Sequence, residues 1–346
     1  MKLLKPVLIA LLSLLGVAAI SCAGKTPAIN TPNGIASLEK VELGGINQWI
    51  LIRGKDRSNP VLLFLHGGPG GAQMPYAHFY GYPLEDHFVV VHWDQRGAGK
   101  SFHLDIPADS MNIEQFVSDC HELVQMLRKR FGVDKIYLIG KSWGTLLGVR
   151  VVHRYPGLFY AYVGMGQCVD MPQNEAISYQ FVRDEARKRK NHLAISTLKM
   201  IGPPPYRLTS DVAVQRIWLN KFGGVIYNEA GREARIGPSS VEYTPLDRIK
   251  YKFGGIYSAA LMWNEIMTVN FLEQAPRLDL PVYFFTGRHD YNTPFEMVEV
   301  YYEALDAPMG KKIVWFEDSG HSPNFEETEK FAQEMLKVLE ETYPGD

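Results

Sequence analysis

At 346 residues, with 46% hydrophobic and 21% charged side chains, the chain has a globular composition and enough length for one large domain with an insertion, or for two domains. Its formal net charge of −2 leaves no global reason to expect nucleic acid or an acidic membrane surface as a partner. The three cysteines include no C-x-x-C, and no histidine stands at zinc-ligand spacing. A disulfide framework is therefore excluded, and nothing in the sequence calls for a metal or an organic cofactor.

Residues 1–21 place Lys2 and Lys5 before an apolar run over 6–20 that is too short for a comfortable membrane span. They read as a signal peptide. Ala19-Ile20-Ser21-Cys22 resembles a bacterial lipobox, with Ala19 where leucine is usual. That resemblance implies export in a bacterium and a lipid on Cys22 that anchors the chain to a membrane facing the periplasm or the exterior. A soluble secreted protein, cut near Ala23, is the alternative. Residues 22–37 are small, polar and proline-bearing, as suits a flexible tether. Cys120 and Cys168 remain, for which export would allow a single bond, but Cys120 falls on the apolar face of an expected helix, so both are read as free buried thiols.

Residues 38–54 alternate apolar and polar on either side of Gly44-Gly45, the pattern of an antiparallel hairpin. Residues 61–65 are wholly apolar, a strand buried on both faces, and run into the loop His66-Gly67-Gly68-Pro69-Gly70-Gly71. A second such run, 88–93, leads into Asp94-Gln95-Arg96-Gly97-Ala98-Gly99-Lys100-Ser101. Residues 112–131 read as a helix, with Asn112 as its cap, Gln115 three residues on, apolar side chains at spacings of three and four, and Gly132 as its stop. Residues 135–154 then give strand, sharp turn and helix, and 159–165 another buried strand. The alternation predicts an α/β fold on a doubly wound, mostly parallel sheet. Residues 167–278 lack it and read as an inserted, largely helical cap between core segments 38–166 and 279–346. It resumes with a strand at 281–287, a helix at 293–305, a strand at 312–316 and a closing helix at 325–343.

Gly140-Lys141-Ser142-Trp143-Gly144 sits at the sharp turn, and G-x-S-x-G between strand and helix is a nucleophile elbow. A serine hydroxyl is a poor nucleophile at neutral pH without a histidine base and a carboxylate to orient that base. Ligands meet doubly wound sheets at the carboxyl ends of strands. There the sequence offers Asp290, after the strand ending at Gly287, and His321, after the last strand. Ser142, Asp290 and His321 fall in the chain order nucleophile, acid, base. His289 and the acids Glu317 and Asp318 compete for these roles, and His289, His66 and His92 are read as structural. The oxyanion of the intermediate needs donors. The N–H of Trp143 is one, and the second comes from the glycine loop, with Gly68 chosen and Gly67 in reserve because Pro69 has no N–H.

Taken together, HGGPG, DQRGAGKS, GKSWG, GRHD and GHSP resemble the α/β-hydrolase fold and, within it, the proline iminopeptidase family of serine aminopeptidases. The resemblance runs from about residue 38 to the end, apart from most of the cap. It implies that Asp94, Arg96 and Ser101 are structural ties, and that cap glutamates hold the α-amino group of the substrate. Glu265 and Glu175 are the candidates, since a cation in a closed pocket needs a carboxylate partner. The expected function is release of an N-terminal residue, proline included, from a short peptide or other small substrate. A carboxylesterase or lactonase on the same triad is the second reading. A non-catalytic binding lipoprotein is the reading from a different class. The sequence leaves the oligomeric state open.

Overall fold

A computed structural model of the chain describes residues 24–81, 83–206, 208–227 and 240–345. The expected signal peptide and Cys22 lie outside the described residues.

Gly44 and Gly45, both at positive φ, turn the first alternating segment into a hairpin of β1 (Ile35–Leu43) and β2 (Ile46–Gly54). The apolar runs become β3 (Val61–Leu65), β4 (Val89–Asp94), β5 (Ile136–Lys141), β6 (Phe159–Met165) and β7 (Val282–Gly287). With β8 (Lys311–Phe316) they form one eight-stranded sheet in the order β1-β2-β4-β3-β5-β6-β7-β8. The first two pairings are antiparallel and those from β4 to β8 parallel. Parallel strands need helical crossovers, which cover both faces of the sheet. The strands accordingly feed two cores, with Leu63 and Leu65 of β3 facing one and Leu62 and Phe64 the other.

The side chain of Asn112 accepts the N–H of Gln115 and caps α1 (Ile113–Phe131), which Gly132 ends at φ 67°. Its stripe of Phe116, Cys120, Leu123 and Leu127 is fully buried. Burying each such leucine contributes about 2 kcal/mol, so packing rather than helix propensity holds α1 in place. Cys120 and Cys168 are both buried and free.

Between β6 and β7 the insertion folds as α3 (Met171–Lys188), α4 (His192–Ile201), α5 (Thr209–Lys221) and α6 (Pro245–Ile266), while α2 (Trp143–Arg154) precedes β6. Val182, Leu198, Trp218 and Leu219 give α3 to α5 an apolar cluster of their own. By contrast α6 lies directly on the glycine loops of the core. A Cβ on Gly254 would stand 2.5 Å from the carbonyl oxygen of Gly97, and Ser258 Oγ donates to that same oxygen at 3.1 Å.

Two expectations are corrected. From Gly24 onward the supposed tether is docked, because Arg53 Nη1 donates to Thr26 Oγ1 at 2.6 Å and to the Pro27 carbonyl at 2.7 Å. The closing helix is two, a turn at Pro323–Glu326 and α8 (Thr328–Thr342), divided at Glu327 by a non-helical backbone. Between β7 and β8 runs α7 (Phe295–Ala304).

Candidate active site

Ser142 follows β5 directly and has φ 54° and ψ −122°, a conformation that costs a non-glycine residue of order 1–3 kcal/mol. The surrounding bonds hold it there. Its N–H donates to the Met165 carbonyl at 3.0 Å, and its own carbonyl accepts the N–H of Thr145 at 2.7 Å and the Thr145 hydroxyl at 2.6 Å. The turn packs so tightly that a Cβ on Gly144 would lie 2.1 Å from the carbonyl oxygen of Leu65.

Asp290 and His321 come from the loops after β7 and β8. Asp290 Oδ2 accepts from His321 Nδ1 at 2.8 Å and from the Thr293 hydroxyl at 2.9 Å, while Oδ1 accepts the N–H groups of Asn292 and Thr293 at 2.8 and 3.0 Å. Both side chains are buried. With Nδ1 engaged by the carboxylate, Nε2 is the ring atom left for acid–base work, and the side-chain nitrogen of Asn292 lies 3.0 Å from it. The imidazole rests on Gly166, where a Cβ would stand 2.7 Å from Cε1. Ser142 and His321 are thus both seated on the Met165–Gly166 corner.

The backbone around His321 is clamped. Its N–H donates to the Val225 carbonyl at 2.6 Å. Glu326 Oε1 accepts the N–H of Gly320 at 2.9 Å and of Ser322 at 3.3 Å, on either side of the histidine, and Oε2 accepts the N–H of Tyr227 from the insertion at 2.7 Å. Burial pushes the Glu326 carboxyl up to about 7, against the opposing pull of those three N–H groups.

A cavity of about 450 Å³ opens over the site, and Gly68, Ser142, Trp143 and Asn292 contribute to its wall. Trp143 is the first residue of α2, where an N–H has no acceptor within its helix. Gly67 lies beside the serine, since a Cβ there would be 3.2 Å from Ser142 Cβ, and Gly68 has φ 118°. Gln95 braces both sides of this region. It accepts from Trp143 Nε1 at 2.9 Å, and it donates to the His66 carbonyl at 3.2 Å through its side chain and to His66 Nε2 at 3.1 Å through its backbone.

His66, His92, His289 and the motif residues Asp94, Arg96 and Ser101 are held by neighbours within the fold. Burial lowers His66 to about 4 and His92 to about 3, so both are neutral at neutral pH. His289 stacks on Tyr227 with ring centres 3.4 Å apart. Arg96 makes a buried two-point pair with Asp119, from Nε at 2.9 Å and Nη2 at 3.0 Å. Ser101 Oγ donates to the Asp94 carbonyl at 2.5 Å and accepts the N–H of Trp49 at 2.8 Å. The Asp94 carboxylate accepts from Tyr243 and from the N–H of Lys100, and burial pushes it up to about 7.

Of the two cap glutamates, Glu175 reaches the cavity and Glu265 does not. Glu265 Oε2 instead accepts the N–H of Ile113 at 3.0 Å at the start of α1, while its neighbours Trp263 and Ile266 line the cavity. Glu175 is fully buried and bonded through both oxygens to Arg216, at 3.1 Å between Oε2 and Nη1. Sequence reasoning did not single out Gln95, Asn292, Arg216 or Glu326. Only Gln95 lay inside a recognised motif. Among the described residues no three His, Cys, Asp or Glu side chains gather as a metal site requires.

The family model described as alpha/beta hydrolase fold matches residues 60–328. A probable aminopeptidase of Bacillus subtilis (strain 168), YbaC, is 34% identical over 306 residues, 88% of this chain and 96% of that protein. A proline iminopeptidase of Heyndrickxia coagulans is 28% identical, covering 79% of this chain and 87% of its own length. Among solved structures, the proline iminopeptidase of Mycobacterium smegmatis superposes with a TM-score of 0.63 at 20% identity, over 88% of this chain and 98% of that one. That likeness speaks for the fold.

Proposed function

The chain belongs to the α/β hydrolase fold family, and from that premise we propose that it is a serine hydrolase working through an acyl-enzyme, an aminopeptidase that releases the N-terminal residue, proline included, from short peptides. The observation that carries the reading is the buried 2.8 Å contact between Asp290 and His321, together with a serine held at φ 54° in the wall of a cavity to which Asn292 and Thr293, hydrogen-bonded to that pair, also contribute.

In this mechanism Ser142 Oγ attacks the carbonyl of the first residue while Nε2 of His321 takes its proton. Asp290 keeps the other ring nitrogen protonated, fixes the tautomer and stabilises the imidazolium that forms. The N–H of Trp143 and an N–H of the glycine loop, from Gly68 or Gly67, stabilise the oxyanion. His321 returns the proton to the leaving amine, and water then opens the acyl-enzyme with His321 again as base. Glu175 is the carboxylate toward which the substrate's ammonium group is drawn. The names of the Bacillus and Heyndrickxia relatives support the peptide reading.

A second reading, carboxylesterase or lactonase, draws on the apolar wall formed by Leu146, Met171, Val212 and Trp263. Purified protein assayed on aminoacyl anilides and on p-nitrophenyl esters decides between the two. Higher kcat/KM on the anilides supports the aminopeptidase. Turnover of short esters alone replaces it with the esterase.

We also propose export and a lipid on Cys22, on the strength of the lipobox resemblance. Fatty-acid labelling of cells expressing the wild type, absent from Cys22→Ala, tests this, and an unlabelled, secreted wild type rejects it.

A further inference from the structure

In the cavity above Ser142, Arg216 is the only lysine or arginine among the described lining residues. It sits on α5 against Glu175 of α3, and the two side chains are unequally accessible. The guanidinium side chain is 24% exposed and the carboxylate side chain 0%. What the cavity presents to an incoming molecule is therefore a cation, with its counter-ion hidden behind it. Of the five N–H donors on a guanidinium, three are used, two on Glu175 and one on Gln215. The remaining two have no partner among the described residues. Burial opposes the charge of Arg216, but the Glu175 carboxylate outweighs it, so the arginine's pKa stands above its ordinary value. Glu175, in turn, has acceptor positions beyond the two that Arg216 occupies.

We propose that Glu175 and Arg216 form a two-charge subsite for an N-terminal aspartate or glutamate. The substrate's side-chain carboxylate bonds the free donors of Arg216 and draws the guanidinium off Glu175, which uncovers that carboxylate for the α-ammonium. This rests on the aminopeptidase reading and narrows its substrate class. The physical reason is charge balance in a closed space. A neutral N-terminal residue brings one uncompensated cation next to a guanidinium, whereas an acidic one brings both signs, so each buried charge finds an opposite one and the cavity stays neutral. The planar fork of arginine suits two-point binding of a carboxylate, which lysine cannot reproduce.

The test compares kcat/KM on glutamyl, glutaminyl, leucyl and prolyl p-nitroanilides. Glutamyl and glutaminyl differ by one charge at nearly equal shape. The wild type is expected to prefer glutamyl over glutaminyl by about tenfold or more, as a charge-assisted bond in a closed site supplies. Removing Arg216 alone strands a buried carboxylate and endangers the fold, so the variants are Arg216→Lys and the double replacement Glu175→Gln with Arg216→Gln, each checked for cooperative thermal unfolding. The preference should fall severalfold in the first and vanish in the second. A wild type that cleaves glutaminyl or leucyl substrates as well as glutamyl overturns the proposal, as does a preference that survives the double replacement. If no anilide is cleaved, the aminopeptidase reading itself fails. The Arg216 half is then read on esters, where p-nitrophenyl glutarate must exceed p-nitrophenyl pentanoate in the wild type but not in the double variant, and equal turnover of the two esters rejects it.

Discussion

The side-chain nitrogen of Asn292 lies 3.0 Å from His321 Nε2, the ring atom that the proposed reaction requires to take the proton of Ser142. An amide donating to that lone pair competes with the serine hydroxyl and must move aside for attack. A net hydrogen bond is worth about 1 kcal/mol, or about fivefold in an equilibrium. Asn292→Ala is therefore expected to speed covalent labelling by a small fluorophosphonate by about fivefold, measured as a second-order rate constant. A tenfold slowing would mean that Asn292 assists the base rather than competing with it.

Glu326 joins both neighbours of His321 to Tyr227 of the insertion. Glu326→Ala removes two acceptor oxygens and with them three hydrogen bonds, and an N–H left unsatisfied in a buried place costs about 1–3 kcal/mol, so the loop carrying the histidine relaxes. The expected result is a fall in kcat of roughly tenfold or more with a smaller change in KM, since the loop sets the base and not the cavity wall. Glu326→Gln keeps one acceptor and should recover part of the loss. Equal kcat in all three proteins would show that the clamp has no bearing on the histidine.

Gln95 connects the indole of Trp143 to both the carbonyl and Nε2 of His66, and so ties the start of α2 to the glycine loop. Gln95→Leu leaves the indole N–H and the His66 carbonyl without these partners. The melting temperature should drop by an amount matching about 1–3 kcal/mol, and kcat should fall because the two proposed oxyanion donors lose their common brace. A drop in melting temperature with unchanged kcat would confine Gln95 to stability.

The legible part of this chain is the part written in local patterns. Asn112 and Gly132 mark the ends of α1 because capping is settled within a turn of the helix, and Ser142, Asp290 and His321 stand where strands end. Side chains whose roles depend on how distant helices dock could not be read so. Glu265 is adjacent in sequence to cavity residues, yet the rotation of α6 turns it to the N-terminus of α1. Arg216 carries no motif, and only the packing of α5 against α3 brings it to Glu175. Residues 24–34 look like a linker by composition because their partners, such as Arg53, lie on β2.

Asp94 makes stability depend on pH in a stated direction. Its folded pKa of about 7, raised chiefly by burial, exceeds the ordinary value of 3.8. Between about pH 4 and pH 7 the folded state therefore holds a proton that the unfolded state releases, and this group's contribution weakens as pH rises through that window and levels off above it. Asp94→Asn cannot titrate. Melting curves from pH 4.5 to 8 should show the wild type losing stability relative to Asp94→Asn as pH increases. A constant difference would mean that Asp94 stays ionised throughout.

In the proposed reaction Ser142 Oγ is the attacking atom, and peptide mass mapping after treatment with a fluorophosphonate reads this out. One adduct is expected, on Ser142, with none in Ser142→Ala and with kcat in that variant reduced by at least about a thousandfold. An adduct on another residue, an unlabelled wild type, or turnover preserved in Ser142→Ala would contradict it.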